Sequence, residues 1–315
     1  MEEIAIVGLL AATVRFATPI LLAALGEAVS ERAGTLNIGI EGIMLVGAFL
    51  SAWAAVATGS PWAGLGLAVA GGMALAACHA VLTVTCRVDQ IVSGIALIIF
   101  GLGLSGYGYR ISLGKAFPAP SIPLFEKIDF GALAAIPGLG AVLFNHHLLV
   151  YATFAMVLAV AWFLYRTTWG LEIRAIGENP AAAEAVGIGV ARVRYGACIF
   201  GGALAGAAGS FLVLAHVGFF VENMVAGRGF IAVVCVVFGR WNPAGVLLAA
   251  LLFGFADALQ IRLQSIYYEV PHQFFIVLPH ALAIASLVVF AGRTRFPSAL
   301  GVPFYGSAAR RRGDG

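Results

Sequence analysis

ERAGTLNIGIEGIMLVGA, Glu31 to Ala48, holds one carboxylate, Glu41, between Gly39 and Gly42, at the edge of an apolar run that reaches Ala57. An ionised carboxylate in hydrocarbon is costly unless it finds a partner or water. Glycines at this spacing suit a broken or closely packed helix start, where free amides face a cavity and not lipid. The stretch therefore reads as the polar mouth of a membrane pathway. The alternative is a glutamate snorkelling at a helix end.

Composition agrees with a membrane setting. The 315 residues are 61% hydrophobic and 10% charged, with a mean hydropathy of +0.99. That balance excludes a soluble single domain and fits an all-α polytopic membrane protein of about eight to ten helices, with broken or re-entrant segments. The 40 glycines suit helices packed backbone to backbone. The four cysteines, Cys78, Cys86, Cys198 and Cys235, form no CxxC pair and read as small hydrophobes. A net charge of +3 gives no case for nucleic acid as a partner.

Working outward, the apolar runs place spans at 4–25, 36–58, 63–86, 91–109, 148–165, 195–215, 243–261 and 272–291. The polar connection 26–35 separates the first two. Glu222, Asn223 and Arg228 interrupt residues 217–239, which read as a short non-spanning piece followed by a helix from near Gly227. Counting that helix gives nine crossings in one transmembrane domain, 1–315. Residues 110–147, with Pro118, Pro120, Pro123 and Pro137, form an extramembrane loop, and the basic tail 292–315 is expected to fray. Placing the 166–194 loop and the tail in the cytoplasm puts 12 of the 18 Lys and Arg residues inside. Four then lie outside: Arg110, Lys115, Lys127 and Arg228. That obeys the positive-inside rule. Gly201, Ala205 and Gly209, and beside them Gly202, Gly206 and Ser210, make two small-residue rows on one helix, so neighbours can approach on both sides.

In IRAIGENPAAAEAVGIG, Ile173 to Gly189, Asn179 is a good N-cap, Pro180 suits the first helical position and Gly187 stops the helix. The expectation is a helix of about two turns, roughly 10 Å long, with Ala183 exposed. A plain capped connector is the alternative.

RAGTLNIGIEGIMLVGA and IRAIGENPAAAEAVGI, with AGRGFIAVVCVVFGRWNPAGVLLAALLFG from Ala226 to Gly254, resemble the permease subunits of bacterial ABC importers. The resemblance runs in order from about Arg15 to Phe290, toward the simple-sugar and nucleoside branch, with looser forms in ribose and branched-chain amino acid permeases. It implies a type II importer-like bundle in the cytoplasmic membrane. It also implies a second permease chain, identical or related, and a periplasmic or lipid-tethered binding protein. Residues 179–187 become the coupling helix for a separate ATPase subunit, with Gly177, Glu178, Asn179, Pro180, Ala183 and Gly187 at the contact. No GxxxxGK[ST] loop is present, so ATP and magnesium are expected on that partner and no cofactor on this chain.

Asn37 and Glu41, with Gly39 and Gly42, are the first candidates to touch solute, since an amide and a carboxylate can grip hydroxyls or a base edge. Phe219 and Phe220 offer a stacking face. Arg15 and Asp257 are intramembrane charges that could pair. His79, His216 and His280 read as hydrogen-bonded bundle residues. The fuller SERAGTLNIGIEG form resembles the nucleoside-type members, so a purine nucleoside is the expected solute. A simple sugar such as ribose is the alternative within this class. An ion-coupled transporter using Glu41 or Asp257 is the alternative outside it. An intramembrane enzyme is disfavoured, because no catalytic constellation appears.

Overall fold

The computed structural model describes residues 2–114, 121–128, 130–133, 136, 138–267, 270–271, 273–290 and 295–306. Expectations attached to Lys115, Pro118, Pro120, Pro137, His272 and the arginines at 293 and 310–312 fall outside these residues. The helices are α1 (Glu2–Arg32), α2 (Ile40–Thr58), α3 (Pro61–Ala80), α4 (Gln90–Ser112), α5 (Leu139–Leu143) and α6 (Leu148–Arg166). There follow α7 (Thr168–Glu178), α8 (Pro180–Ala185), α9 (Val190–Phe211), α10 (Arg228–Phe238), α11 (Pro243–Ile266) and α12 (Gln273–Phe290). Single π-helical turns, Val81–Thr85 and Leu212–Val217, prolong α3 and α9.

Among the described residues seven helices, α1 to α4, α6, α9 and α11, are long and apolar enough to cross a membrane, with the 18-residue apolar α12 and the shorter α10 beside them. Of the nine expected crossings, the one from near Gly227 is too short to span. At 11 residues α10 is about 16 Å long, half the ~30 Å hydrocarbon thickness. It starts inside the bundle because a side chain of α2 receives its N-terminus there. The first span is also longer than expected. Residues 26–32 continue α1 and are not a polar connection, since the buried Glu27, Ser30 and Glu31 find partners within the protein.

α2 and α9 are the most buried of the seven, and both small-residue rows of α9 are used. Gly201 lies against Gly26 of α1 and Gly209 against Met44 of α2, while Gly202 and Gly206 meet Gly72 and Ala68 of α3. A Cβ at Gly202 would overlap the Gly72 carbonyl oxygen. Backbone-to-backbone approach of this kind replaces the hydrophobic drive that lipid does not supply.

The connecting segments gather at two ends. At one end, residues 295–306 cross the bundle instead of fraying. The Ala299 N–H donates to the Gly177 carbonyl (2.9 Å), Gly301 N–H to Gly34 (3.3 Å), Ser298 Oγ to Glu178 (3.2 Å), and Phe296 stacks edge-on against Trp241. Arg87 lies over the Tyr305 ring at 4.5 Å. At the other end Phe125 N–H donates to Leu214 (3.0 Å) and Trp62 packs on Phe125. There Arg110 grips Glu222 bidentately, at 2.7 Å to each oxygen, and holds its carboxyl below the usual range.

Candidate functional site

The half-helix α10 organises the interior. Its first N–H groups lack intrahelical partners and carry partial positive charge, and its N-cap, Gly227, has no side chain and sits at φ +86°. Glu41, at the start of α2 and 4% exposed, fills that role from outside. Its two oxygens accept from Gly227 N–H and Gly229 N–H, at 2.8 Å each. The approach needs glycine, because a Cβ on Gly229 would lie 2.7 Å from the Glu41 backbone. On the other side α2 presses on α4: a Cβ at Gly42 would overlap the Leu97 carbonyl oxygen, and Gly39 faces the Leu97 side chain.

Arg228, the first residue of α10, turns to α11, with Nε 3.5 Å from Asp257, and its Nη1 donates to the Met224 and Val225 carbonyls. His280 of α12 brings Nε2 within 3.2 Å of where a Cβ on Gly227 would stand. Four helices thus converge on one charged cluster. The partner of Asp257 is Arg228 and not Arg15, whose Nε is buried without a hydrogen bond and which lines a separate cleft with Arg262.

Asn37 sits below this cluster on the segment joining α1 to α2. Its N–H donates to Glu27 Oε1 at 2.7 Å, and its side-chain oxygen is buried without a partner. Asn37, Gly39, Glu41 and Gly42 therefore share one junction. Phe219 and Phe220 do not. Phe220 is buried on Phe49 and Tyr109, eight and twelve residues further along α2 and α4 from Glu41 and Leu97, and Phe219 is 55% exposed.

The 166–194 loop holds two helices instead of one. Thr167 caps α7 through Gly170 N–H, and Asn179 Oδ1 accepts from Ala182 N–H (3.0 Å) to start α8, whose first residue is Pro180. Gly187 ends the turn at φ +88°. Ala183 is buried, 3% exposed, because it packs into the cluster formed by Ile176, Val190 and Val193; the expected exposure is wrong by half a helical turn. Val186, 77% exposed, is the outward residue. A Cβ at Gly177 would overlap the Arg32 carbonyl oxygen, and Glu178 accepts from Ser298.

Residues 9–291 match the family model described as branched-chain amino acid transport system / permease component. The chain belongs to this permease family. It is 45% identical over 262 residues to the putative glucose ABC transporter permease protein TsgC13 of Haloferax volcanii, covering 82% of this chain and 78% of the relative. It is 37% identical over 305 residues to the guanosine ABC transporter permease protein NupQ of Bacillus subtilis, covering 93% and 95%. With the nucleoside ABC transporter permease protein NupC of Lactococcus lactis it shares 33% over 301 residues, covering 92% and 94%. The same three organisms each hold a second, less similar permease, 28% identical to this chain. No solved structure matches it.

Several residues that organise the permease escaped the sequence reading. Glu27 and Glu31, one turn apart on α1, are buried. Trp241 Nε1–H donates to Glu31, while Arg32 donates to the Arg240 and Trp241 carbonyls. Arg194 is 1% exposed and donates to the carbonyls of Ala33 (3.1 Å), Val302 (3.1 Å) and Ala299 (3.5 Å), tying α9 to α1 and the C-terminal strap. His79 bridges Ser93 Oγ (2.9 Å) and the Leu36 carbonyl (3.1 Å), as a bundle histidine should. The i, i+4 spacing of Glu27 and Glu31 was the available signal, hidden by reading them as a loop.

Proposed function

We propose that this permease forms half of the pathway of an ATP-driven importer whose solute is a nucleoside, most specifically a purine nucleoside. The observation that carries the reading is the end-to-end match, over 92% or more of this chain, with guanosine and nucleoside permeases. Glucose is the second reading, favoured by the higher identity to the putative glucose permease over a shorter stretch. Both solutes are neutral and rich in hydroxyls. The pairing of a close and a distant relative in each of three organisms supports a second, non-identical permease as the partner.

The coupling role goes to the exposed face of α8 and its turn, with α7 and residues 295–306 holding that loop to the ends of α1 and α9. ATP and magnesium then belong to a separate ATPase subunit docking there. That end is cytoplasmic in this reading, supported by Arg32, Arg87, Arg166, Arg192 and Arg240 at it. A substrate-binding protein would dock at the opposite end, over Phe219 and the Arg110–Glu222 pair. Glu41 has both oxygens on α10, so its part in transport is to clamp the half-helix between two packings of the bundle. The free oxygen of Asn37 is the better candidate to meet solute.

The test is uptake of labelled guanosine, adenosine, ribose and glucose by cells carrying the whole transporter. Accumulation of guanosine and adenosine, lost when this chain is deleted, is the expected result. Glucose or ribose accumulating while nucleosides do not would replace the solute and leave the permease role intact.

A further inference from the structure

Helices α6 and α9 line an apolar cleft of about 480 Å³, together with Val29 of α1 and Trp169 and Ile173 of α7. Along α9 the cleft runs from Arg192 through Gly196 to Phe200, eight residues or about 12 Å at 1.5 Å each. Trp162 and Trp169 stand at its mouth, 63% and 60% exposed. Nothing lies within 4 Å of where a Cβ on Gly196 would be, so the groove is open where a side chain would ordinarily fill it.

Three features say what covers it. The walls are membrane-spanning helices, so the cleft opens sideways into the bilayer. Paired tryptophans at one end mark the headgroup level, where indole rings prefer to sit. Arg192 is at that same end and has no hydrogen-bond or ion-pair partner among the described residues, whereas Arg174 of α7 is stacked on Tyr165 and bonded to Gly170. An unpaired guanidinium at the head of an apolar groove matches a phosphate carrying an acyl chain.

We propose that the α6–α7–α9 cleft binds one anionic phospholipid, with an acyl chain along the groove and the phosphate on Arg192. Because Trp169 and Ile173 belong to α7, the lipid braces the helix that leads into α8.

The complete transporter, reconstituted in phosphatidylglycerol or in phosphatidylcholine vesicles, extracted in mild detergent and weighed by native mass spectrometry, tests this. Wild-type protein should keep one phosphatidylglycerol per copy of this chain and no phosphatidylcholine. Arg192→Gln should lower retention about tenfold, the equivalent of about 1.4 kcal/mol, and Arg192→Lys should restore most of it. Gly196→Leu should fill the groove and abolish retention. Gly66→Leu, at another helical glycine with open space around its Cβ, should change nothing. Unchanged retention in Arg192→Gln, or equal retention of phosphatidylcholine, would overturn the proposal. So would a cross-link from a cysteine at 196 to the paired permease, since the cleft would then be a subunit interface.

Discussion

Glu41 shows how one residue sets the depth at which a helix begins. Its carboxylate serves two backbone N–H groups of α10, charge-assisted bonds placed where the helix dipole is positive. Glu41→Gln keeps one acceptor oxygen but turns an amide NH₂ against a backbone donor. It should lower thermal stability of the purified protein by about 1–3 kcal/mol, and reduce uptake further than expression. A Gln variant with unchanged melting and uptake would show that α10 does not depend on the clamp. The motif flagged Glu41 from sequence because a carboxylate between glycines in an apolar run needs a partner. Which partner was not legible, since Gly227 and Gly229 lie 186 and 188 residues away.

Among the elements, α8 is where local signals were strongest and where they misled about facing. The Asn179 cap, Pro180 and Gly187 fixed the turn from sequence alone. A six-residue helix has too few residues for its buried side to show as a period, so Ala183 was placed outward when it points into the Ile176–Val193 cluster. Two substitutions separate docking from folding. Val186→Arg should leave melting unchanged and weaken copurification of the ATPase. Ala183→Arg should cost about 1–3 kcal/mol through overpacking, more with the charge buried, and reduce yield before any docking is measured. Comparable melting of the two variants would contradict the assigned faces. The strap at 295–306 was unreadable for a different reason: its hydrogen bonds are mostly to backbone carbonyls, and its side-chain partners Glu178, Trp241 and Arg87 lie more than 50 residues away. Arg194→Gln should speed hydrogen exchange over residues 168–189 while that of α2 and α3 stays unchanged. Exchange unaltered in the loop would mean that Arg194 does not hold it.

For the molecule as a whole, composition gave the membrane class and apolar runs placed most spans within a few residues. The glycine rows of α9 foretold close packing on both sides. What did not follow was anything depending on two distant segments meeting. Residues 26–32 continue α1 because Trp241 and Asn37 receive their carboxylates. α10 is a half-helix because Glu41 receives it, and Asp257 pairs with Arg228 because α10 and α11 bring them together. Hydropathy measures a segment against lipid and is blind to a polar partner supplied from elsewhere in the bundle. The central claim is that this chain supplies the pathway while a separate subunit supplies the energy. The direct measurement is guanosine accumulation in proteoliposomes holding this permease, its paired permease, the ATPase and the binding protein. Guanosine should accumulate only with ATP, and accumulation should stop when the ATPase is inactive or this chain is left out. Accumulation driven by a proton or sodium gradient without ATP, or undiminished without this chain, would contradict it.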